Sequence, residues 1–167
     1  MSRDPRAVAN YLLDKADEKG LELTNLAINK VLYFCHAWYL ATKGEPLLLG
    51  AFEAWDHGPV VPTVYHQFKS YGRDRITGRA TVIDFETGVD VVAKAQFSAE
   101  EIEYLEKMLN FYGTRSGSTL RNMSHEPGAP WDVVRVKSDE PGMVIPNSLI
   151  EEYFRDRLGQ RNSANAH

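Results

Sequence analysis

Cysteine is nearly absent: Cys35 stands alone among 167 residues. No internal disulfide can form, which excludes a bridge-stapled secreted design and suits a reducing cytoplasm. Long apolar runs are missing as well. Nowhere do about 18 apolar residues follow one another, and Met1-Ser2-Arg3-Asp4-Pro5 lacks the apolar stretch of a secretion signal, so neither export nor membrane insertion is expected. Positive charge is not in excess: 19 Lys and Arg face 23 Asp and Glu, and the net charge of −4 mildly repels a nucleic-acid backbone. Glycines fall singly, without a Walker loop or dinucleotide fingerprint. A lone cysteine cannot make a CxxC pair and no HExxH occurs, so no metal and no cofactor are expected. Repeats, low-complexity blocks and linkers that would divide two cores are also lacking.

What remains has the ordinary globular balance, with 43% apolar and 25% charged residues, so one packed core is within reach. A first helix is signalled by Asp4 as cap, Pro5 at its first position, and Val8, Tyr11, Leu12 and Ala16 at helical spacing up to Gly20. A second begins near Thr24 and runs to Gly44. It is apolar nearly all round, which predicts a helix packed on several sides at the centre of the domain. Lys30 and His36 interrupt it and read as structural: a Lys snorkelling its amine to water, and a His hydrogen-bonded at the flank.

Residues 46–55 read as extended, Asp56-His57-Gly58-Pro59 as a turn, and Pro59 as the start of a helix carrying Val60, Val61, Val64, Tyr65 and Phe68 toward Gly72. The segments 80–85 and 89–93 predict a β-hairpin around Glu86-Thr87-Gly88. Ser98-Ala99-Glu100-Glu101 reads as a capping box opening a helix that Gly113 stops. A short helix over 118–124 follows, then a loop forced by Pro127, Gly128 and Pro130 and anchored by Trp131. The last helix runs from Asn147 to Leu158, and residues 159–167 read as a flexible tail with nothing to bury. The expectation is a mainly α, compact single-domain helical bundle with a small β-hairpin, the domain occupying residues 1–158.

Chemistry is thin. His57 with Asp56, and His125 with Glu126, could do acid–base work or hold a metal if folding joins them, and a hydrolase or metal-dependent enzyme is the alternative this keeps open. Cys35 has apolar neighbours that bury the thiol and raise its pKa, a poor setting for a nucleophile. The stretch Lys69, Arg73, Arg75, Arg79, opposed by Asp74 alone, could form a basic loop for an acidic partner or for nucleic acid. Aromatic residues beside turns, among them Trp38, Trp55, Tyr65 and Trp131, supply core volume or interface anchors and suit a binding module better than a catalyst.

Four segments together resemble a known family: Lys30-Val31-Leu32-Tyr33-Phe34-Cys35-His36-Ala37-Trp38-Tyr39-Leu40, then Pro46-Leu47, then Phe52-Glu53-Ala54-Trp55-Asp56-His57-Gly58-Pro59-Val60-Val61-Pro62-Thr63-Val64-Tyr65, then Leu120-Arg121-Asn122-Met123-Ser124-His125-Glu126-Pro127-Gly128-Ala129-Pro130-Trp131. The pattern is similar to the Panacea domain of SocA-like antitoxins, also described as phage-associated GepA-like proteins. The resemblance implies a mostly helical domain that neutralises a cognate protein toxin by complex formation. Among SocA-like members it further implies an adaptor that presents the toxin to the ClpXP protease. The motif positions it marks are Lys30, Tyr33, Trp38, Trp55, Gly58, Pro59, Val60, Tyr65, His125 and Trp131. Taken together, these readings place partner binding on Trp55, His57, Val60, Tyr65, Arg73 and Arg75, with no catalytic residue, no membrane and no nucleic acid involved.

Overall fold

The computed structural model describes residues 1–138, 140 and 142–165. Helix α1 (Pro5–Lys19) begins as its sequence dictates, with the Asp4 carboxylate accepting from the Arg6 amide and Pro5 in the first turn, and ends at Gly20 in the left-handed conformation. Helix α2 (Asn25–Lys43) is capped by Thr24 and closed by Gly44. Fifteen of its nineteen residues are buried, because α4, α5 and α7 all pack around it. The central position follows from its all-round apolar surface.

Strands β1 (Phe52–Trp55) and β2 (Gly58–Val60) form an antiparallel hairpin, and β5 (Met143–Ile145) pairs with the other edge of β1, giving the order β2-β1-β5. Pro59 therefore lies in an edge strand, where its missing N–H costs no ladder bond, and does not open a helix. Helix α3 starts three residues later, with Pro62 in the favoured first position, and spans Pro62–Phe68 before a short 3-10 turn at Lys69–Tyr71. Strands β3 (Thr81–Ile83) and β4 (Asp90–Val92) form the expected second hairpin, in register Thr81↔Val92.

Helix α4 (Ala99–Tyr112) carries the complete Ser98/Glu101 capping box, and α5 (Gly117–Ser124) is capped by Ser116. Where a loop is expected after Pro127, Pro130 opens helix α6 (Pro130–Lys137), and Trp131 sits in its first turn. Helix α7 spans Asn147–Asn165 and so continues past Leu158 through Gly159. The Arg161 guanidinium lies 4.7 Å over the Trp38 ring, so this part of the expected tail is helical and lies against α2. Ala166 and His167, the end of that tail, lie outside the described residues. No helix among the described residues is long and apolar enough to cross a membrane.

Within a mostly aliphatic core, one aromatic cluster joins α2, α4 and α7. Tyr33, Phe34 and Trp38 of α2 meet Phe154 of α7 edge to face, and Phe34 stacks flat on Tyr112 of α4 with centroids 4.4 Å apart. The Trp38 indole N–H donates to the Tyr112 hydroxyl at 2.7 Å. His36 fulfils the structural reading: its Nδ1 accepts from the Leu48 amide at 3.2 Å and its Nε2 donates to the Asn147 side chain at 2.9 Å, while burial lowers its pKa. Cys35 is fully buried and its thiol is pushed up to about 12 by that burial, leaving it inert as a nucleophile.

The β3–β4 hairpin is tied to α1 chiefly by one buried side chain, with Gln67 of α3 also accepting from the Thr81 amide at 3.0 Å. Asn10 of α1 donates to the carbonyls of Ala80 and Ala93, each at 2.9 Å, and accepts from the Ala80 amide at 2.8 Å. Asn10→Ala removes all three bonds and leaves backbone groups unsatisfied in an apolar setting, so a loss of about 2–3 kcal/mol is expected. Hydrogen exchange checks this: the amides of residues 81–92 should lose protection while those of α2 keep theirs.

Candidate functional site

A cleft of about 820 Å³ opens between the start of α2, the β1–β2 hairpin with α3, and the first turn of α5. Its shape depends on three consecutive polar interruptions of the apolar α2 surface. Asn25 donates to the Tyr65 carbonyl at 3.1 Å, Asn29 accepts from the Val61 amide at 3.1 Å, and the Lys30 amine donates to the Pro59 carbonyl at 2.8 Å. One helix face thus fastens the chain from Pro59 to Tyr65 through its backbone. Helix α6 fastens the hairpin from the other side: Trp131 Nε1 donates to the Trp55 carbonyl at 2.7 Å, and Arg135 pairs with Asp56 at 2.9 Å.

Gly58 is where these parts meet. Its φ is +108°, and a Cβ there would stand 2.6 Å from Lys30 Cε, 2.8 Å from Ser124 Oγ and 3.4 Å from His125 Nε2. Only a residue without a side chain lets the hairpin approach α2 and α5 this closely. Of the motif positions, Lys30, Gly58, Pro59, His125 and Trp131 therefore form one contiguous junction, whereas Tyr33 and Trp38 belong to the aromatic core.

Lys30 does not snorkel. The whole residue is buried, and desolvation, helped by the positive charge of Arg121, holds its amine down to about 7. His125 stacks flat on Trp131 with centroids 3.6 Å apart. Burial first, then the charges of Arg121, Lys30, His57 and Arg135, hold its imidazole down to about 4, and its buried Nε2 finds no hydrogen-bond partner among the described residues. The carboxylates next to the two histidines in sequence are engaged elsewhere: Asp56 with Arg135, and Glu126 with Arg157 at 2.8 Å and the Tyr153 hydroxyl at 3.0 Å. Among the described residues no group of three or more His, Cys, Asp or Glu is placed to hold a metal ion.

Trp55, His57, Val60, Tyr65 and Arg73 all line the cleft. Trp55 and Tyr65 are partly exposed and pack edge to face, 4.7 Å between centroids, while His57 and Arg73 are exposed. Val60 is buried, so it contributes to the cleft wall without offering a free surface. Arg75 is elsewhere. It pairs with Asp17 at 3.3 Å and Glu22 at 4.0 Å, and Arg79 with Asp14 at 2.7 Å and Asp17 at 2.6 Å. The expected basic loop is thus half neutralised by acidic residues on and just after α1, which local sequence around Asp74 does not reveal. Arg121 and Asn29 were not foreseen. Their signal lay in a polar residue one helical turn after Asn25 and in an arginine inside the closing motif.

A model of the SocA-like antitoxin Panacea domain matches residues 28–132, which takes in most of α2, the hairpin, most of the cleft wall and the start of α6. The chain is also 43% identical over 160 residues to Antitoxin SocA of Caulobacter vibrioides (strain NA1000 / CB15N), covering 92% of this chain and 84% of that protein. It belongs to the SocA-like antitoxin family. No solved structure matches it.

Proposed function

We propose that this chain is an antitoxin that neutralises a cognate protein toxin by binding it, and that the toxin seats on the cleft face carrying Trp55, His57, Tyr65 and Arg73. The observation that carries this reading is the likeness to Antitoxin SocA across nearly the whole chain, joined to a cleft in which the family-like segments converge. The cleft is an interface by its chemistry: partly exposed aromatic anchors beside charged groups, within a rigid frame of backbone hydrogen bonds. In its finer form the reading is an adaptor mechanism in the cytoplasm, with the bound toxin handed to ClpXP.

Co-expression with the protein of the adjacent open reading frame, in cells that have or lack ClpXP, tests both levels. Rescue of growth with disappearance of the neighbour only when the protease is present is the adaptor outcome. Rescue in both strains with an accumulating complex is sequestration without delivery. A neighbour that is harmless alone removes the antitoxin reading. Trp55→Ala should weaken capture of the neighbour about tenfold or more with only a modest drop in thermal stability, since it loses the contact with the Tyr65 ring but keeps the Trp131 bond, which goes to the Trp55 backbone.

A further inference from the structure

The arginines of this chain are almost all engaged. Arg3, Arg6, Arg75, Arg79, Arg135, Arg155 and Arg157 each pair with a carboxylate, and Arg115 and Arg161 lie over the rings of Phe111 and Trp38. Among the described residues the two that have neither kind of partner are Arg73 and Arg121, and both line the same cleft. Lys69 lines it as well and forms no ion pair among the described residues, and the Nε of Arg121 is buried without a hydrogen-bond partner. The one carboxylate on the wall, Asp56, is already held by Arg135. In a chain of net charge −4, both arginines without a carboxylate or ring partner among the described residues share one concavity with Lys69, whereas Lys19, Lys94, Lys107 and Lys137, also without an ion pair among the described residues, lie outside it.

We propose that this cleft is a receptor for an acidic segment of the partner protein, with Arg73 and Arg121 as the residues that read its carboxylates and Trp55 and Tyr65 as the wall against which an adjoining apolar side chain packs. The inference rests on the antitoxin reading for the identity of the partner. Charge complementarity supplies the occupant. A concave site with low-dielectric walls and one sign of charge draws in the opposite sign, and guanidinium groups bind carboxylates in paired hydrogen bonds. A cleft of about 820 Å³ accommodates several side chains at once. The partially positive first turn of α5, at Ser116 to Ser118 on the opposite wall, acts in the same direction.

The experiment uses the full chain and two probes: the protein of the adjacent open reading frame, and a fluorescein-labelled hexaglutamate peptide. Arg73→Glu and Arg121→Glu are compared with Lys107→Glu, which carries the same charge change on exposed α4, away from the cleft. The expected result is about a tenfold or greater loss of neighbour capture for each cleft variant, none for Lys107→Glu, and a steep weakening of wild-type binding with added salt. Capture that is equal in all variants and insensitive to salt overturns the inference while leaving the antitoxin reading intact. If the wild-type chain does not capture the neighbour at all, the antitoxin reading fails and hexaglutamate decides the inference by itself: binding lost in the cleft variants alone upholds it, and no binding, or equal binding throughout, ends it. Displacement of hexaglutamate by ATP at an equal concentration would reassign the cleft to a nucleotide.

Discussion

Gly58→Ala is expected to cost about 3 kcal/mol or more of folding stability, a large fraction of what a domain of this size possesses. Two separate penalties combine. An alanine at φ +108° occupies a backbone region that L-residues avoid, at a cost of about 1–3 kcal/mol. Its Cβ would also lie 2.6 Å from Lys30 Cε and 2.8 Å from Ser124 Oγ, and neither neighbour has room to withdraw, since both residues are buried. Relief requires the hairpin to lift from α2, stretching the Lys30–Pro59 bond and loosening the cleft wall. Gly20→Ala provides the comparison: φ there is +71° but nothing lies within 4 Å of the added carbon, so about 1 kcal/mol is expected. Urea midpoints for the two variants should therefore separate clearly. Equal losses would mean that the close approach at Gly58 contributes nothing beyond its dihedral angle.

The second large effect is a dependence on pH that belongs to Lys30. In the unfolded chain this amine keeps its proton to about 10.5, and in the folded chain only to about 7. Between those values the unfolded chain binds more protons, so stability rises with pH from about 7 to about 10.5, and the residue is at its most unfavourable below 7. At ~1.4 kcal/mol per pH unit the displacement corresponds to about 5 kcal/mol across the window. Lys30→Met keeps the length of the side chain and abolishes the titration, at the cost of one hydrogen bond to Pro59. The wild-type unfolding free energy should climb over this range relative to that of Lys30→Met, because every other group titrates in both. Parallel curves would show that Lys30 is solvated in a way its burial does not suggest. Acid acts in the same direction elsewhere. His125, held down to about 4 by burial and neighbouring positive charge, loses stability for the fold as pH falls from 6.5 toward 4. Glu101, drawn down to about 2 chiefly by Arg3, does so from 4.5 toward 2.

The parts of the fold that were legible from sequence are those whose signals are local and agree. α1, α2 and α4 have a cap, a periodic apolar face and a terminating glycine, and each begins and ends within a residue or so of expectation. The prolines misled in opposite directions. Pro59 and Pro62 both suit a helix start, and only pairing with β1 shows that the first belongs to a strand. Pro130 looked like part of a loop because Pro127 and Gly128 precede it, yet it opens α6. Strand β5 is three residues long and owes its existence to β1, nearly ninety positions earlier. The site divides the same way. Its hairpin residues were visible as a motif, whereas the roles of Asn29 and Arg121, and the neutralisation of Arg75, depend on neighbours distant in sequence.

The arrangement of α7 also bears on the order in which the core closes. α2 is made well before the parts that complete its surroundings, since its aromatic face is covered by Phe154 and β1 is flanked by residues 143–145. A nascent chain can cover α2 with α4 and α5 once these are made, but the side of α2 that meets Phe154 stays open until α7 follows. A translation product interrupted before α7 leaves the aromatic face of α2 exposed to aggregation and to proteases.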